Sequence, residues 1–314
     1  MTVVVTGAAG QDGTLLSDLL AARGERVLRV GRDGPVDITD AAAVEELVAA
    51  ERPEQVYLLA AVQHSSQDDH GDPRELARAS HRVNTLPVQH FAEAIDRHRT
   101  GTRLFYAASS HIFGSGAALC DEHSGLRPDS IYAVTKAAGL LACRAYRARG
   151  VFAAAGILFN HESPLRAEKF VTRKIVRAVA RIQRGETGTV EVGRLDAGAD
   201  WGYAPDYVEA MTRILALDEP DEFVVATGEH HTVAQLCAAA FGMAGLDWQD
   251  HVRERSSVLT RGGRPPTGDA RKLRERTGWR PSVDFHGMVR AMLVAEGVRL
   301  VEQSKPVRTG GTDG

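Results

Sequence analysis

The stretch VVVTGAAGQDGTLL, residues 3–16, joins a β-branched run to a glycine-rich turn and then to an apolar helical pattern. Its glycines have the GxxGxxG spacing that opens a helix after the first strand of a βαβ unit. Glycines at such a turn let the backbone approach a pyrophosphate, whose charge then lies at the helix N-terminus. A tight turn without a ligand would show similar glycines, but the position after strand one favours a dinucleotide. We predict that five loop residues contact it: Gly7, Gly10, Gln11, Asp12 and Gly13.

Outward from this turn, strand-like and helical patterns alternate through the first half of the chain. Predicted strands lie near 26–30, 55–60, 103–109 and 152–159, and predicted helices near 12–23, 41–51 and 75–97. Alternation of this kind is typical of a parallel sheet with right-handed crossovers and helices on both faces. The predicted fold class is therefore α/β, a Rossmann-type doubly wound parallel sheet.

The second half of the chain has a looser pattern, and its last predicted helix lies near 284–302. We interpret residues 1–160 as a dinucleotide-binding domain. Residues 161–302 are interpreted mainly as a smaller α/β substrate domain laid over the ends of the sheet, with some segments returning to the sheet. The tail, 303–314, has no apolar periodicity and is predicted to be disordered.

Composition indicates a globular protein of enzyme size. The chain has 314 residues, 43% of them hydrophobic, and a formal net charge of −3 with scattered basic residues. This charge pattern disfavours nucleic acid and anionic membrane as partners. The three cysteines are far apart and lack CxxC spacing, which argues against a disulfide framework and a zinc site. No secretion signal or membrane-length apolar run is visible, so we expect a cytoplasmic protein with a small-molecule partner.

The end of the second predicted strand indicates which dinucleotide is preferred. Where an acidic residue would grip a ribose 2′-hydroxyl, the sequence has Gly31-Arg32. A guanidinium suits a 2′-phosphate, so NADP is favoured, with NAD as the alternative if Arg32 is only a solvated surface residue. By their positions in the pattern, Asp37, Leu59 and Ala60 are predicted to contact the adenine and ribose.

A second motif indicates hydride chemistry. Tyr132 and Lys136 have YxxxK spacing at the start of a helical stretch, which places both side chains on one face. A lysine ammonium lowers the pKa of a nearby phenol, and the phenolate can take a proton from a sugar hydroxyl while hydride leaves for a nicotinamide. The same spacing occurs by chance in amphipathic helices. Here it follows a strand that ends at Ser109, so we predict that Ser109, Tyr132 and Lys136 are catalytic and that the last two also contact the cofactor.

This ordered set of motifs resembles the extended short-chain dehydrogenase/reductase superfamily. Within it, five segments together are similar to the GDP-mannose 4,6-dehydratase family: TGAAGQDGTLL, GILFNHESP, FVTRKIVRAVARI, DWGYAPDYVEAM and EFVVATGEHHTV. The resemblance implies that Asn160 begins the substrate-binding segment and that Thr172, Arg173 and Lys174 lie near a nucleotide-diphosphate sugar. Cations beside backbone N–H groups at a helix start suit a diphosphate, although the same side chains could form a solvated helix face.

At the catalytic position the chain departs from the family. The family has Thr-Ser-Glu where this sequence has Ser109-Ser110-His111. The resemblance implies that the family glutamate moves the C5 proton, and serine keeps the hydroxyl that binds the sugar 4-hydroxyl. Imidazole titrates near neutrality and can also move a proton between carbon and oxygen. A related 3,5-epimerase family places its acid/base cysteine at this position. We therefore predict His111 as the C5 acid/base, with a histidine that only packs as the alternative.

Two further departures concern the substrate and the assembly. The family's Asn and Arg before the Asp-Trp-Gly motif are Arg194 and Ala199 here, which weakens the case for GDP-mannose itself. Arg194 is kept as a candidate substrate-binding residue. The loop after Arg32 is short, whereas the family's longer loop reaches a neighbouring subunit, so we expect a homodimer rather than a tetramer.

Three functions fit these residues. The first is a nucleotide-sugar 4,6-dehydratase or a close variant, acting through a transient 4-keto sugar with bound NADP. The second is an epimerase or 4-ketoreductase that uses the same Ser109, Tyr132 and Lys136. The third is a catalytically silent NADP-binding homologue, which the intact triad disfavours. The sequence does not distinguish the sugar, the base or the net reaction.

Overall fold

The computed structural model describes five ranges of the chain: residues 1–63, 72–116, 119–186, 188–255 and 265–301. The tail predicted to be disordered, 303–314, lies outside them. Thirteen strands lie in the described ranges: β1 Thr2–Thr6, β2 Arg26–Val30, β3 Gln55–Leu58, β4 Arg103–Ser109, β5 Leu119–Cys120, β6 Ala153–Leu158, β7 Asn160–Glu162, β8 Val190–Val192, β9 Gly198–Tyr203, β10 Glu222–Val225, β11 His230–Thr232, β12 Val252–Glu254 and β13 Thr267–Gly268.

Helices connect most of these strands. In the described ranges they are α1 Gln11–Ala22, α2 Ala41–Glu51, α3 Pro73–Asn84, α4 Leu86–His98, α5 Ile131–Arg147, α6 Val171–Gln183, α7 Ala204–Leu215, α8 Val233–Met243, α9 Trp248–His251, α10 Arg271–Thr277 and α11 Phe285–Ala295, with a 3₁₀ turn at Ser110–Phe113. Several match the predicted bounds closely, because long apolar periodicity determines helix position well.

Six parallel strands form the central sheet, in the order β10-β6-β4-β3-β1-β2. This confirms the predicted α/β doubly wound fold. The chain runs outward from β1 to β2 on one side and then to β3 on the other, so the strand order reverses between β1 and β3. Ligands in such sheets bind at the carboxyl ends of the strands beside this reversal.

The buried apolar side chains form two clusters. The first fills both faces of the central sheet and includes side chains of α7, β10 and α10, such as Met211, Phe223 and Leu273. The second is built from α6, α8 and α11, around Ile175 and Phe241. A three-stranded sheet, β11-β9-β7, lies between these two clusters. It starts from the central sheet, because β7 follows directly after central strand β6.

Two predicted helices have different bounds in the structure. The single helix predicted near 75–97 is wrong: α3 ends at Asn84 and α4 begins at Leu86. Pro87 lies in the first turn of α4, where its missing N–H costs nothing, whereas inside a continuous helix it would break a hydrogen bond. The last helix, predicted near 284–302, ends at Ala295, shortly before Gly297 with φ +75°. Glycine tolerates that backbone conformation and commonly follows a helix end.

Within the ranges that the structure describes, no helix is long and apolar enough to cross a membrane.

Candidate active site

The glycine-rich turn after β1 is closely packed by backbone on two sides. Gly7 has φ +67°, and a Cβ there would lie 2.7 Å from the amide nitrogen of Ala60. A Cβ on Gly13 would lie 2.2 Å from the carbonyl oxygen of Gly7. Gly10 precedes α1 and offers no side-chain cap to its first N–H groups. These glycines leave an open cradle at a helix N-terminus, which fits a pyrophosphate.

The predicted adenosine-side residues lie at the ends of neighbouring strands. The amides of Leu59 and Ala60 donate to the hydroxyl of Thr6, at 3.1 and 3.3 Å, which joins the end of β3 to the end of β1. Arg32 follows β2 and is exposed. The exposed Asp37 accepts a hydrogen bond from the backbone N–H of Thr39 at 2.8 Å, and this bond lowers the pKa of its carboxyl.

Lys136 is buried in α5 with 2% of its surface exposed. Its ammonium donates to the carbonyl oxygen of Ala107 at 2.8 Å. Burial lowers the pKa of Lys136 to about 8, against the attraction of Asp12, which raises it. The lysine therefore lies beside β4 as a cation at neutral pH, and its pKa of about 8 is close to neutrality.

The other catalytic candidates converge on Lys136. The ring of Tyr132, one helical turn earlier, has its centroid 5.8 Å from the lysine Nζ. His111 lies in the 3₁₀ turn after β4 and meets Tyr132 edge to face, with ring centroids 5.4 Å apart. The hydroxyl of Ser109 accepts a hydrogen bond from the backbone N–H of His111 at 3.4 Å. The structure thus brings Ser109, His111, Tyr132 and Lys136 together at the carboxyl end of β4.

The start of α5 is fixed from two directions. Ser130 caps the helix by accepting from the amide of Ala133 at 3.3 Å. The side-chain amide of Asn84, at the end of α3, donates to Thr135 at 3.0 Å and its oxygen accepts from the amide of Val62 at 2.8 Å. These contacts connect α5 to the segment that follows β3.

The segment Asn160-His161-Glu162-Ser163 contacts the first turn of α1. Nε2 of His161 lies 2.9 Å from a carboxylate oxygen of Asp12, and Nδ1 lies 2.6 Å from the carbonyl oxygen of Phe159. Both partners can only accept hydrogen bonds, so both ring nitrogens donate and the ring is an imidazolium. Burial alone would lower the pKa of His161, but Asp12 outweighs it and raises the pKa. Burial alone would raise the pKa of Asp12, and His161 lowers it.

The ion pair with His161 neutralises the negative charge of Asp12 at the N-terminus of α1. A carboxylate in the first turn of α1 would repel a pyrophosphate at the same helix end. His161 offsets that charge, and Arg166 also lowers the pKa of Asp12 through its own positive charge. A parallel contact lies beside the pair, because the hydroxyl of Ser163 donates to the side-chain oxygen of Gln11 at 2.9 Å.

Glu162 connects the same segment to α6. It is 1% exposed and accepts from the hydroxyl of Thr172 at 2.6 Å, while Nε of Arg166 lies 3.1 Å from it. The guanidinium of Arg166 lies over the ring of Phe170, with its central carbon 3.5 Å from the ring centroid. Sequence reasoning missed Arg166, because nothing in the local pattern around it distinguishes a cleft arginine from a solvated one.

The predicted substrate residues have different surroundings. Asn160 opens β7 and pairs with Trp201 of β9. Nη2 of Arg173 lies 2.5 Å from Glu296, while its buried Nε and Nη1 have no hydrogen-bond partner among the described residues. Lys174, the next residue of α6, is partly buried. Arg194 is exposed, and its Nε donates to Asp196 at 2.8 Å.

The three cysteines, Cys120, Cys143 and Cys237, are buried and unpaired. Among the residues that the structure describes, no group of three or more His, Cys, Asp or Glu side chains could hold a metal ion.

The sequence model of the family described as GDP-mannose 4,6 dehydratase matches residues 34–292. GDP-mannose 4,6 dehydratase 2 of Arabidopsis thaliana is 36% identical, over 98% of this chain and 90% of the relative. GDP-mannose 4,6 dehydratase of Homo sapiens is 30% identical, over 93% of this chain and 90% of the relative.

Solved structures show the same architecture. UDP-glucose 4-epimerase of Thermus thermophilus, solved with NAD, superposes with a TM-score of 0.79 at 25% identity, covering 95% of this chain and 99% of that one. RMD from Pseudomonas aeruginosa, solved with NADPH, has a TM-score of 0.80 at 22% identity, covering 95% and 99%. At the latter identity the likeness shows the fold alone.

Proposed function

The chain belongs to the GDP-mannose 4,6-dehydratase family, and on that premise we propose that it is an NADP-dependent nucleotide-sugar dehydratase. In this proposal the enzyme removes hydride from C4 of the sugar, eliminates water across C5 and C6, and then returns the hydride to C6 and a proton to C5. The product is a 4-keto-6-deoxy sugar, and the net change is the loss of one water. The observation that carries the proposal is the convergence of Ser109, Tyr132 and Lys136 at the carboxyl end of β4, on the same edge of the parallel sheet as the glycine cradle after β1.

The residues around the cradle fit a dinucleotide. Gly7, Gly10 and Gly13, with Gln11 and Asp12, would hold the pyrophosphate at the start of α1. Arg32, exposed after β2, would contact the 2′-phosphate of NADP, and Asp37, Leu59 and Ala60 would line the adenosine side. NADP bound there would supply reversible hydride transfer to and from the sugar. NAD remains the alternative cofactor.

Each catalytic side chain has a distinct role in the proposal. Tyr132 takes the proton of the sugar 4-hydroxyl, while Ser109 binds that hydroxyl. The ammonium of Lys136 stabilises the phenolate of Tyr132, since it is buried and lies 5.8 Å from the ring centroid. Oxidation at C4 acidifies the C5 hydrogen, and His111, which lies beside Tyr132, would remove it.

Arg173 supports the proposed diphosphate site. Glu296 fixes one end of its guanidinium, and two buried nitrogens lack a protein partner in the described structure. Unpartnered guanidinium donors are costly unless a ligand accepts from them, and a phosphate accepts well. Lys174 and Thr172 on the same helix, with Asn160 and Arg194, complete the proposed substrate site. Ala199 is 6% exposed and packs in the second core cluster, so it supplies no cation there.

An epimerase or 4-ketoreductase is the second candidate function. The departure from the family glutamate to His111 favours it, because an acid/base at this position can also serve epimerisation at C5, as the cysteine of the related 3,5-epimerase family does. The triad would serve either outcome, since both begin at C4. A silent NADP-binding homologue is the weaker candidate because Ser109, Tyr132 and Lys136 are intact and convergent.

Product mass separates these reactions. Purified protein is incubated with NADP and a panel of nucleotide sugars that includes GDP-mannose and GDP-heptoses, and products are weighed by mass spectrometry. We expect a loss of water. Unchanged mass with an altered sugar configuration supports the epimerase, and a gain of two hydrogens with NADPH supports the reductase. Failure of every substrate to react, with NADP bound, contradicts both enzymatic proposals.

We also propose a cytoplasmic homodimer with residues 161–302 mainly on the substrate side of the cleft. An apolar stripe on the outer face of α5 supports the dimer: Ile131, Val134 and Leu141 are each about half exposed, at 48%, 49% and 49%. They recur at helical spacing, and Ala138 and Ala145 lie between and after them. A contiguous apolar face of this kind is typical of a protein interface.

A further inference from the structure

The catalytic lysine rests on an aromatic ring of the central sheet. Tyr106 lies in β4, is 2% exposed, and its ring centroid is 5.1 Å from Nζ of Lys136. The ammonium lies over this ring while it donates to the carbonyl of the next residue, Ala107. The negative face of an aromatic ring attracts a cation, and more strongly where water is excluded.

The hydroxyl of Tyr106 fixes the position of that ring. It lies 2.8 Å from the carbonyl oxygen of Asn84, to which it donates, and 3.4 Å from that of Lys136 itself. Gly139 makes room for it, because a Cβ there would lie 2.3 Å from the tyrosine oxygen. The ring is therefore anchored at the end of α3 and sits in a gap of α5.

The lysine needs such support because few other polar groups face it within the ranges that the structure describes. There, the charged and titratable groups that face it are Asp12 on α1, Tyr106 on β4 and Tyr132 on α5, with His111 behind Tyr132. The carbonyl of Ala107 is a neutral acceptor. Burial raises the pKa of Tyr106 well above its usual value, and the nearby Cys143 and Tyr132 raise it further. The phenol of Tyr106 therefore stays neutral.

We propose that Tyr106 is a positioning residue for Lys136: its ring keeps the buried ammonium charged, and its anchored hydroxyl sets the ring beneath the lysine. The inference extends the proposed function, since it concerns the group that would activate Tyr132. Its direct consequence is a change in the titration of Lys136, which can be measured without substrate.

The chain suits such a measurement because it has only five lysines. Protein labelled with ¹³C at lysine Cε is titrated by NMR, and the Lys136 signal is assigned by its loss in Lys136→Arg. In the wild type we expect a midpoint near pH 8. Tyr106→Leu should lower that midpoint by about one pH unit, as expected for loss of a desolvated cation–π contact.

Two variants separate the ring from general packing. Tyr106→Phe keeps the ring, so its Lys136 titration midpoint should stay close to the wild-type value. Tyr57→Leu is the matched control: Tyr57 is fully buried on the neighbouring strand, and its hydroxyl donates to Gln55 rather than to the catalytic helix. Its Lys136 midpoint should match the wild type. If Tyr106→Leu does not fold, trifluorophenylalanine at position 106 keeps the ring shape, removes its negative face and should lower the midpoint alike.

The alkaline limb of turnover should move in parallel. In Tyr106→Leu, activity should be lost at a pH about one unit lower than in the wild type. An unchanged Lys136 midpoint in Tyr106→Leu or in the fluorinated variant overturns the inference, as does an equal shift in Tyr57→Leu. A shifted midpoint in a protein that does not bind NADP would support the role of the ring while contradicting the proposed function.

Discussion

The imidazole of His111 meets the ring of Tyr132 edge to face, with centroids 5.4 Å apart and planes at 82°. One ring follows β4 and the other begins α5, so the two are adjacent only because the helix packs against that end of the strand. In the proposed reaction these groups act on neighbouring carbons, the phenol at the C4 oxygen and the imidazole at C5. Their separation suits two bases that share one sugar ring.

Tyr132→Phe should reduce turnover by about 10²–10⁴-fold, because the phenol is the proposed proton acceptor. Dinucleotide affinity, measured by calorimetry, should remain close to the wild-type value, since the hydroxyl contributes little to nucleotide binding. Tyr146→Phe is a control on the same helix, where the hydroxyl donates to Glu93. A wild-type rate in Tyr132→Phe would remove Tyr132 from the mechanism.

Arg32→Ala should largely remove a preference for NADP over NAD. A charge-assisted bond to the 2′-phosphate is worth roughly 1.5–3 kcal/mol, or about 10–150-fold in affinity. Titration of each cofactor against both proteins measures this ratio. Arg29→Ala, an exposed arginine of β2 that pairs with Asp18, should leave the ratio unchanged. Equal wild-type affinity for the two cofactors contradicts the assignment.

His111→Ala should abolish exchange of the C5 hydrogen with solvent deuterium while hydride transfer at C4 persists. In the proposed mechanism, oxidation at C4 needs Ser109, Tyr132 and Lys136, whereas removal of the C5 proton needs a separate base. Mass spectrometry of the recovered sugar nucleotide measures the exchange. His111→Glu, which restores the family residue, should keep or raise dehydration. Exchange that is indifferent to both variants would show that His111 only packs.

The ion pair of His161 and Asp12 should stabilise the fold in a pH-dependent way. The raised pKa of His161 means that its contribution is fully present below about 6.5 and is lost as pH rises through the folded value. The lowered pKa of Asp12 means that its contribution is present above about 3.8 and is lost as pH falls through the folded value. The pair should therefore stabilise most between roughly pH 4 and 6.5.

Urea unfolding of His161→Gln, Asp12→Asn and the double variant tests this coupling. Each single change should cost about 2–4 kcal/mol near pH 6, because it leaves the other partner uncompensated in a largely buried site. The double variant should cost clearly less than the two single losses together. The loss in His161→Gln should shrink at pH 9. Additive losses would show that the two side chains stabilise the fold independently.

A charge placed in the apolar stripe of α5 should separate the proposed dimer. Leu141→Glu should give a monomer by analytical ultracentrifugation at micromolar concentration, because burying an unpaired carboxylate in an apolar interface is costly. Val294→Glu is a matched control on α11, where the side chain is 58% exposed. A monomeric wild type, or a dimer that tolerates Leu141→Glu, contradicts the proposed interface.

The sequence determined the elements that depend on local periodicity and turn chemistry. The strand–glycine turn–helix unit at residues 3–16 and the alternation after it predicted the parallel sheet, because side-chain period and glycine placement are local properties. The YxxxK spacing likewise predicted that Tyr132 and Lys136 share a face of α5. The prediction of one long helix near 75–97 was wrong. The apolar periodicity continues through Pro87, but proline has no backbone N–H to donate within a helix, and the segment therefore forms two helices.

The tertiary structure decided which distant residues meet. His161 and Asp12 are 149 positions apart, and their ion pair exists only because β6 delivers the segment after it to the first turn of α1. In the sequence, Tyr106 looks like any other apolar strand residue. Its position beneath Lys136 depends on the packing of α5 on β4 at Gly139. Two nitrogens of Arg173 have no partner among the described residues, and this becomes visible only once α6 is packed against α11. Such contacts follow from the way in which helices and strands pack. The local sequence does not predict them, because each segment taken alone is compatible with many packing partners.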